Sequence, residues 1–169
     1  QMRNIVPEFI LENYTKKQFT GEITCFVMFV DISGFTKMTD MLMEKGKSGI
    51  EELNHIINKV FSPAIEIIYK NKGYISTFAG DAFTSIFPIE TTNPLVPLES
   101  ALEIIDILNK ISFESDFIPF EKLQVRIGLS YGKINWQIIG NKPNCAYYFQ
   151  GEAIDNCISN FNFAGLNEI

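Results

Sequence analysis

The sequence holds one histidine and three cysteines in 169 residues, and each scarcity removes a class of chemistry. Any Ser-His-Asp or Cys-His pair would have to be built on His55 alone. That residue stands inside ELNHIINKVF, a helical pattern in which a packing or surface role is the ordinary one. Cys25, Cys145 and Cys157 are odd in number and never fall in C-x-x-C spacing. Neither a disulfide framework nor a zinc site is therefore expected, and the thiols read as reduced, in a cytoplasmic protein. No apolar run approaches the ~18–20 residues that cross a bilayer, and no secretory leader is visible. Cations are outnumbered, 14 Lys+Arg against 20 Asp+Glu, for a net charge of −6. With no basic patch, neither nucleic acid nor an anionic membrane is an expected partner. Repeats and low-complexity tracts are missing as well.

What is plentiful is apolar surface: 46% hydrophobic residues, fifteen of them Phe, enough for the core of one domain. Residues 1–20 read as a lead-in and 21–169 as the domain proper. Residues 23–30 alternate too little for a half-exposed strand and predict a central one. A helical period runs from Gly34 to about Glu44 and breaks at KGKSG. A longer helix follows, with Ile50, Leu53, Ile56, Ile57, Val60, Phe61, Ala64, Ile65 and Ile68 on one broad face, Pro63 inside it as a possible bend and Gly73 at its end. The runs 74-YISTF-78 and 82-AFTSIF-87 predict a hairpin about AGD. A Pro-rich loop over 88–97 leads to a helix over 98–111. Residues 122–131 and 133–139 predict a second hairpin about Tyr131-Gly132, and strand 145–150 and a helix near 152–164 close the chain. The order β-α-α-β-β-α-β-β-β-α contains the split βαβ unit of an α+β, ferredoxin-like sheet with helices packed on one face.

Two acids stand at special places in that order. Asp31 ends the central strand and Asp81 sits at the tip of the first hairpin. In a split βαβ sheet the two can meet at one edge, where paired carboxylates repel unless a cation lies between them. Oxygen ligands in small number suit Mg²⁺ or Mn²⁺ that also binds substrate phosphate. The competing reading makes Asp31 a helix cap and Asp81 a turn residue. The turn Ser33-Gly34-Phe35-Thr36 joins strand to helix, where unpaired backbone N–H groups and the helix dipole favour phosphate and a glycine permits close approach.

The stretches 29-FVDISGFTKMT-39, 78-FAGDAFTSIF-87 and 125-VRIGLSYGKI-134 resemble the class III adenylate/guanylate cyclase catalytic domain, most closely the first, metal-donating cyclase domain of soluble bicarbonate-regulated-type adenylyl cyclases. The resemblance runs from about Gly21 to the end of the chain. It implies that Asp31 and Asp81 are the catalytic, metal-binding aspartates, that Ile32 gives a backbone carbonyl to a metal, that Ser33, Gly34, Phe35 and Thr36 hold the triphosphate, and that Arg126 contacts phosphate. It further implies two divalent cations (Mg or Mn), ATP as substrate, and a complementary cyclase domain in the same or another chain, or a pseudo-symmetric homodimer. In the family one domain supplies the aspartates. The other supplies a base-reading Lys, a second base reader, an Asn that orients the ribose and an Arg for the transition state. At those second positions this chain has Thr77, Tyr148, Asp155 and Ser159. The expectation is therefore a metal-donating half of an adenylate cyclase, inactive or weakly active alone; the alternative is a catalytically degenerate, regulatory nucleotide-binding domain, and a plain ferredoxin-like interaction module is a third reading. Because the family's strands continue past the helix that ends near Gly165, a fragment of a longer polypeptide is expected.

Overall fold

The structure is a computed structural model that describes residues 6–111, 123–141 and 144–169. The first five residues of the lead-in and residue 122, expected to open a strand, lie outside it. The elements in chain order are α1 (Glu8–Thr15), β1 (Thr20–Ser33), α2 (Phe35–Met43), α3 (Lys47–Lys70), β2 (Tyr74–Ala79), β3 (Ala82–Pro88), α4 (Val96–Lys110), β4 (Gln124–Asn141), β5 (Asn144–Gln150) and α5 (Glu152–Phe161). The strands form one sheet in the order β2-β3-β1-β4-β5, with every neighbouring pair antiparallel. The first four strands in that order are the ferredoxin-like unit: β1 is central, and β3 is threaded between it and β2.

β1 is central because both of its faces are apolar. Met28, Val30 and Ile32 point into a cluster with Phe35, Met38 and Leu42 of α2, Ile56, Val60, Ala64 and Ile68 of α3, and Ala101, Ile104 and Leu108 of α4. The period-2 alternation sends Cys25 and Val27 to the other face, where Ala153 and Cys157 of α5 receive them. The three-helix layer therefore covers one face as expected, and α5 adds cover to the second. α1 joins it there: Phe9 stacks on Tyr74 (5.6 Å between centroids) and meets the Trp136 ring edge-on at 5.3 Å, and Ile10 packs with Trp136 and Ile138. Phe9 also reaches Phe149 of β5 at 6.2 Å, and Tyr74 of β2 lies 6.0 Å from the same ring. Outer strands that are four places apart in the sheet thus come together beneath α1, which requires a strongly curled sheet.

The expected hairpin about Tyr131-Gly132 is not a hairpin. β4 runs unbroken from Gln124 to Asn141 and pairs with β1 from Ser33↔Gln124 to Thr20↔Gln137. Gly132 sits in regular register opposite Cys25, where a Cβ would lie 3.3 Å from that of Ala153. Its smallness makes room for α5 and does not turn the chain. The antiparallel pairing of β4 with β5 runs from Asn135↔Gln150 to Asn141↔Asn144.

α3 passes through Pro63 as one 24-residue helix, and its end also differs from expectation. Lys72, at φ 65°, is the left-handed residue. Its N–H donates to the Tyr69 carbonyl (3.2 Å), and the Gly73 N–H donates to that of Ile68 (2.9 Å), the paired bonds of a Schellman motif. Gly73 is needed for space, since a Cβ there would lie 2.6 Å from the Phe87 ring. Lysine in the left-handed region costs about 1 kcal/mol that glycine avoids. Lys72→Gly is therefore expected to raise the melting temperature by about 2–4 °C; a lower midpoint in a thermal melt would contradict the cap geometry.

The three cysteines are unbridged. Burial, and secondarily the Glu90 charge, pushes the Cys25 thiol up to about 12. Burial likewise pushes Cys157 up to about 11, and its S–H faces the Val27 and Gly128 carbonyls. Both are core groups rather than nucleophiles. No helix among the described residues is long and apolar enough to cross a membrane.

Candidate active site

The end of β1 brings most of the expected residues together. Asp31 lies across from Ala82 of β3 on one side and from Arg126 of β4 on the other. The Ile32 N–H donates to the Asp81 carbonyl at 3.3 Å, which fastens the tip of the β2–β3 hairpin to the strand end. Asp31, near the end of β1, and Asp81, in the turn between β2 and β3, therefore occupy the same end of the sheet. Thr36 of α2 donates its hydroxyl to Asp81 Oδ2 at 2.5 Å. Asp31 Oδ2 accepts from the Ser33 hydroxyl (3.4 Å) and from Arg126 Nη2 (3.2 Å).

Asp31 is not the helix cap that the competing reading made it, whereas Asp81 does stand in the β2–β3 turn. The N-cap of α2 is Gly34, at φ 91° and ψ −14°, with no side chain bonded to the helix amides. The first helical bond of α2 runs from the Met38 N–H to the Gly34 carbonyl (3.1 Å), so the amides of the preceding turn have no intrahelical partner. A Cβ on Gly34 would meet nothing within 4 Å. Gly34 thus has the open approach expected of it, and also a backbone conformation that side chains other than glycine rarely adopt. Phe35 is buried against Phe61, 5.3 Å away edge-on. Its ring anchors the turn to the core, leaving its amide as the group available to a ligand.

Chemically the donor set suits a hard dication: one carboxylate near a strand end and one in the adjoining hairpin turn, with neutral hydroxyls beside them. Among the described residues, no group of three or more His, Cys, Asp or Glu gathers as a metal cage. A site with few protein ligands leaves positions for water and phosphate, which is how Mg²⁺ is usually held. Arg126 is the one element of the site that opposes a cation.

The second set of positions lies elsewhere on the same curled face. Thr77 of β2 and Tyr148 of β5 line a concavity of about 300 Å³ with Ser76, Thr84, Phe149 and Ile154. Thr77 donates its hydroxyl to the Phe78 carbonyl (3.4 Å), and Tyr148 bonds the Gln137 side chain. Asp155 and Ser159 are exposed on α5, and the Ser159 hydroxyl turns back to the Asp155 carbonyl at 2.9 Å. None of the four is a cation. Sequence reasoning missed Phe161, whose ring lies 4.5 Å beneath the Arg126 guanidinium. Its i+2 place after Ser159 carries no local signal, because the contact depends on α5 docking under β4. The Thr36–Asp81 link was missed for the same reason.

A family model described as the adenylate and guanylate cyclase catalytic domain matches residues 16–156. This chain is a member of that family. Human adenylate cyclase type 10 is 30% identical over 175 aligned positions, covering 97% of this chain and 10% of the human protein. The rat protein of the same name is also 30% identical, over 87% of this chain. The cyclase domain thus spans about a tenth of the length of these relatives. Among solved structures, a bacterial light-regulated adenylyl cyclase superposes with a TM-score of 0.72 at 19% identity, over 94% of this chain and 46% of that one. The guanylate cyclase domain of RhGC from Catenaria anguillulae in complex with GTP superposes with a TM-score of 0.68 at 18% identity, over 87% of this chain and 77% of that one. Both speak to the fold, and the cyclase sheet and its helices are shared.

Proposed function

We propose that this domain is the metal-donating half of a two-domain adenylate cyclase site, converting ATP to cyclic AMP and pyrophosphate together with a complementary cyclase domain. The observation that carries the reading is the joining of Asp31 and Asp81 at the sheet end beside the uncapped start of α2, set against the lack of any cation at Thr77, Tyr148, Asp155 and Ser159. In this reading Asp31, Asp81 and the Ile32 carbonyl would hold two Mg²⁺ or Mn²⁺ ions. Backbone amides from Ser33 to Thr36 bind the triphosphate, with Gly34 giving it room, and Arg126 adds a fork of donors for phosphate oxygen. When bound, the ions would acidify the ribose 3′-hydroxyl and offset the charge of the leaving pyrophosphate. Adenine as the base follows from the likeness to adenylate cyclase type 10.

A second reading, a regulatory domain that binds nucleotide and makes no product, is favoured by α5 in particular. Ser159 cannot replace a cation over developing charge, and Asp155 adds a like charge near phosphates. Nucleotide binding is common to both readings and is tested first. Calorimetry is expected to show ATP binding enhanced by Mn²⁺, and Asp31→Asn or Asp81→Asn is expected to abolish the enhancement by deleting a charged ligand. Equal metal dependence in the wild type and both variants would remove the shared site.

A further inference from the structure

We infer that Arg126 is the resident counter-ion of Asp31 and that it couples metal binding to triphosphate binding, because the phosphate must draw Arg126 away before the metal can take the carboxylate fully. The inference rests on the assignment of Asp31 as a metal ligand. Arg126 faces Asp31 in the β1–β4 register, and its Nη2 donates to Oδ2 at 3.2 Å. The pair is only partly shielded, with side-chain exposures of 34% for Arg126 and 20% for Asp31. The guanidinium rests over Phe161, which is fixed by its own edge contact with Phe29 at 4.9 Å. The cation is thus held on a shelf against the acid.

Arg126 is nonetheless poorly satisfied there. Its Nε is buried without a partner, and the bond to Asp31 is the only hydrogen bond its side chain makes to described groups. A guanidinium has five donors in a planar fork suited to phosphate oxygens. For an incoming dication, by contrast, Arg126 is a like charge within a few ångströms that already occupies the same oxygen. A free metal ion therefore meets a carboxylate already neutralised. A metal arriving with a polyphosphate does not, because the phosphate offers Arg126 better acceptors and releases Asp31. The coupling is reciprocal: metal tightens nucleotide by the factor by which nucleotide tightens metal.

The test is a set of Mn²⁺ titrations by calorimetry, with and without a non-hydrolysable ATP analogue, on the wild type, Arg126→Gln, Arg126→Lys and Asp31→Asn, with a thermal melt of each. In the wild type the analogue is expected to tighten Mn²⁺ at least tenfold, within the usual range of coupling between sites. Arg126→Gln should bind Mn²⁺ alone about tenfold more tightly than the wild type and lose most of the tightening by the analogue. Arg126→Lys keeps the charge and should bind Mn²⁺ alone as the wild type does. If a folded Arg126→Gln binds free Mn²⁺ no more tightly than the wild type, while Asp31→Asn still abolishes Mn-nucleotide binding, the coupling role of Arg126 is overturned and the metal site stands. Should Arg126→Gln fail to fold, a wild type showing no coupling between Mn²⁺ and the analogue overturns it equally. No Mn²⁺ binding by the wild type with or without nucleotide would remove the metal site, and this inference with it.

Discussion

Alone, the domain is expected to form little or no cyclic AMP from Mn-ATP, even at protein concentrations high enough for two copies to associate. Turnover is expected when it is mixed with a cyclase domain that carries the Lys, Asn and Arg absent here. In the proposed site, two copies of this chain would bring acids and the amides proposed to bind phosphate together, but only Thr77, Tyr148, Asp155 and Ser159 opposite them. One missing group that stabilises developing negative charge costs about 2.7–4 kcal/mol, a factor of about 10²–10³ in rate. Here an Asp also stands where an Asn is expected, and Ser159 is occupied with its own helix. In the mixture, Asp81→Ala in this chain should return activity to background, since it removes a carboxylate proposed to bind metal and the acceptor of the Thr36 bond. The measurement is cyclic AMP formed per minute, each domain alone and combined. Strong, concentration-dependent activity of the domain by itself would refute the half-site reading. Nucleotide binding without restored turnover in the mixture would favour the regulatory one.

The second large effect is expected at Gly34. Its φ of 91° lies in a region that a β-branched residue avoids, so Gly34→Val should lower stability by about 2 kcal/mol and the melting temperature by several degrees. Nucleotide affinity of the folded fraction should fall as well, because a side chain would enter the open space beside the turn proposed to bind phosphate. Gly34→Ala separates the two effects, having most of the dihedral cost and little of the bulk. If Gly34→Val lost stability while ATP bound the folded fraction with normal affinity, the turn would have a conformational role only.

The outcome at Gly132 shows where local reading stops. A Tyr-Gly pair between two apolar runs has the composition of a turn, yet there the glycine admits Ala153 of a helix twenty residues further on. Gly73 does close the helix through its N–H, but Lys72 carries the left-handed cap and the need for a glycine is set by Phe87 on the neighbouring strand. By contrast, the hairpin about AGD, the central β1 and the helices that follow it were legible, because each depends on periodicity or on turn chemistry within a few residues.

The sequence by itself determined the central strand, which carries an acid near its end and runs two residues past it to Ser33, the glycine turn after it, the second acid at a hairpin tip, and the absence of cations at the four complementary positions. These are matters of residue identity and short-range pattern, and they were enough to point to the cyclase family. Only the tertiary structure decided that β4 is one long strand, that α5 and α1 cover the second face, and that the sheet curls until β2 and β5 share a concavity. It alone decided, too, that Arg126 rests on Phe161 and pairs with Asp31. Those contacts join residues far apart in the chain. Register, sheet twist and helix docking set them, and none of these leaves a trace in any short window of sequence.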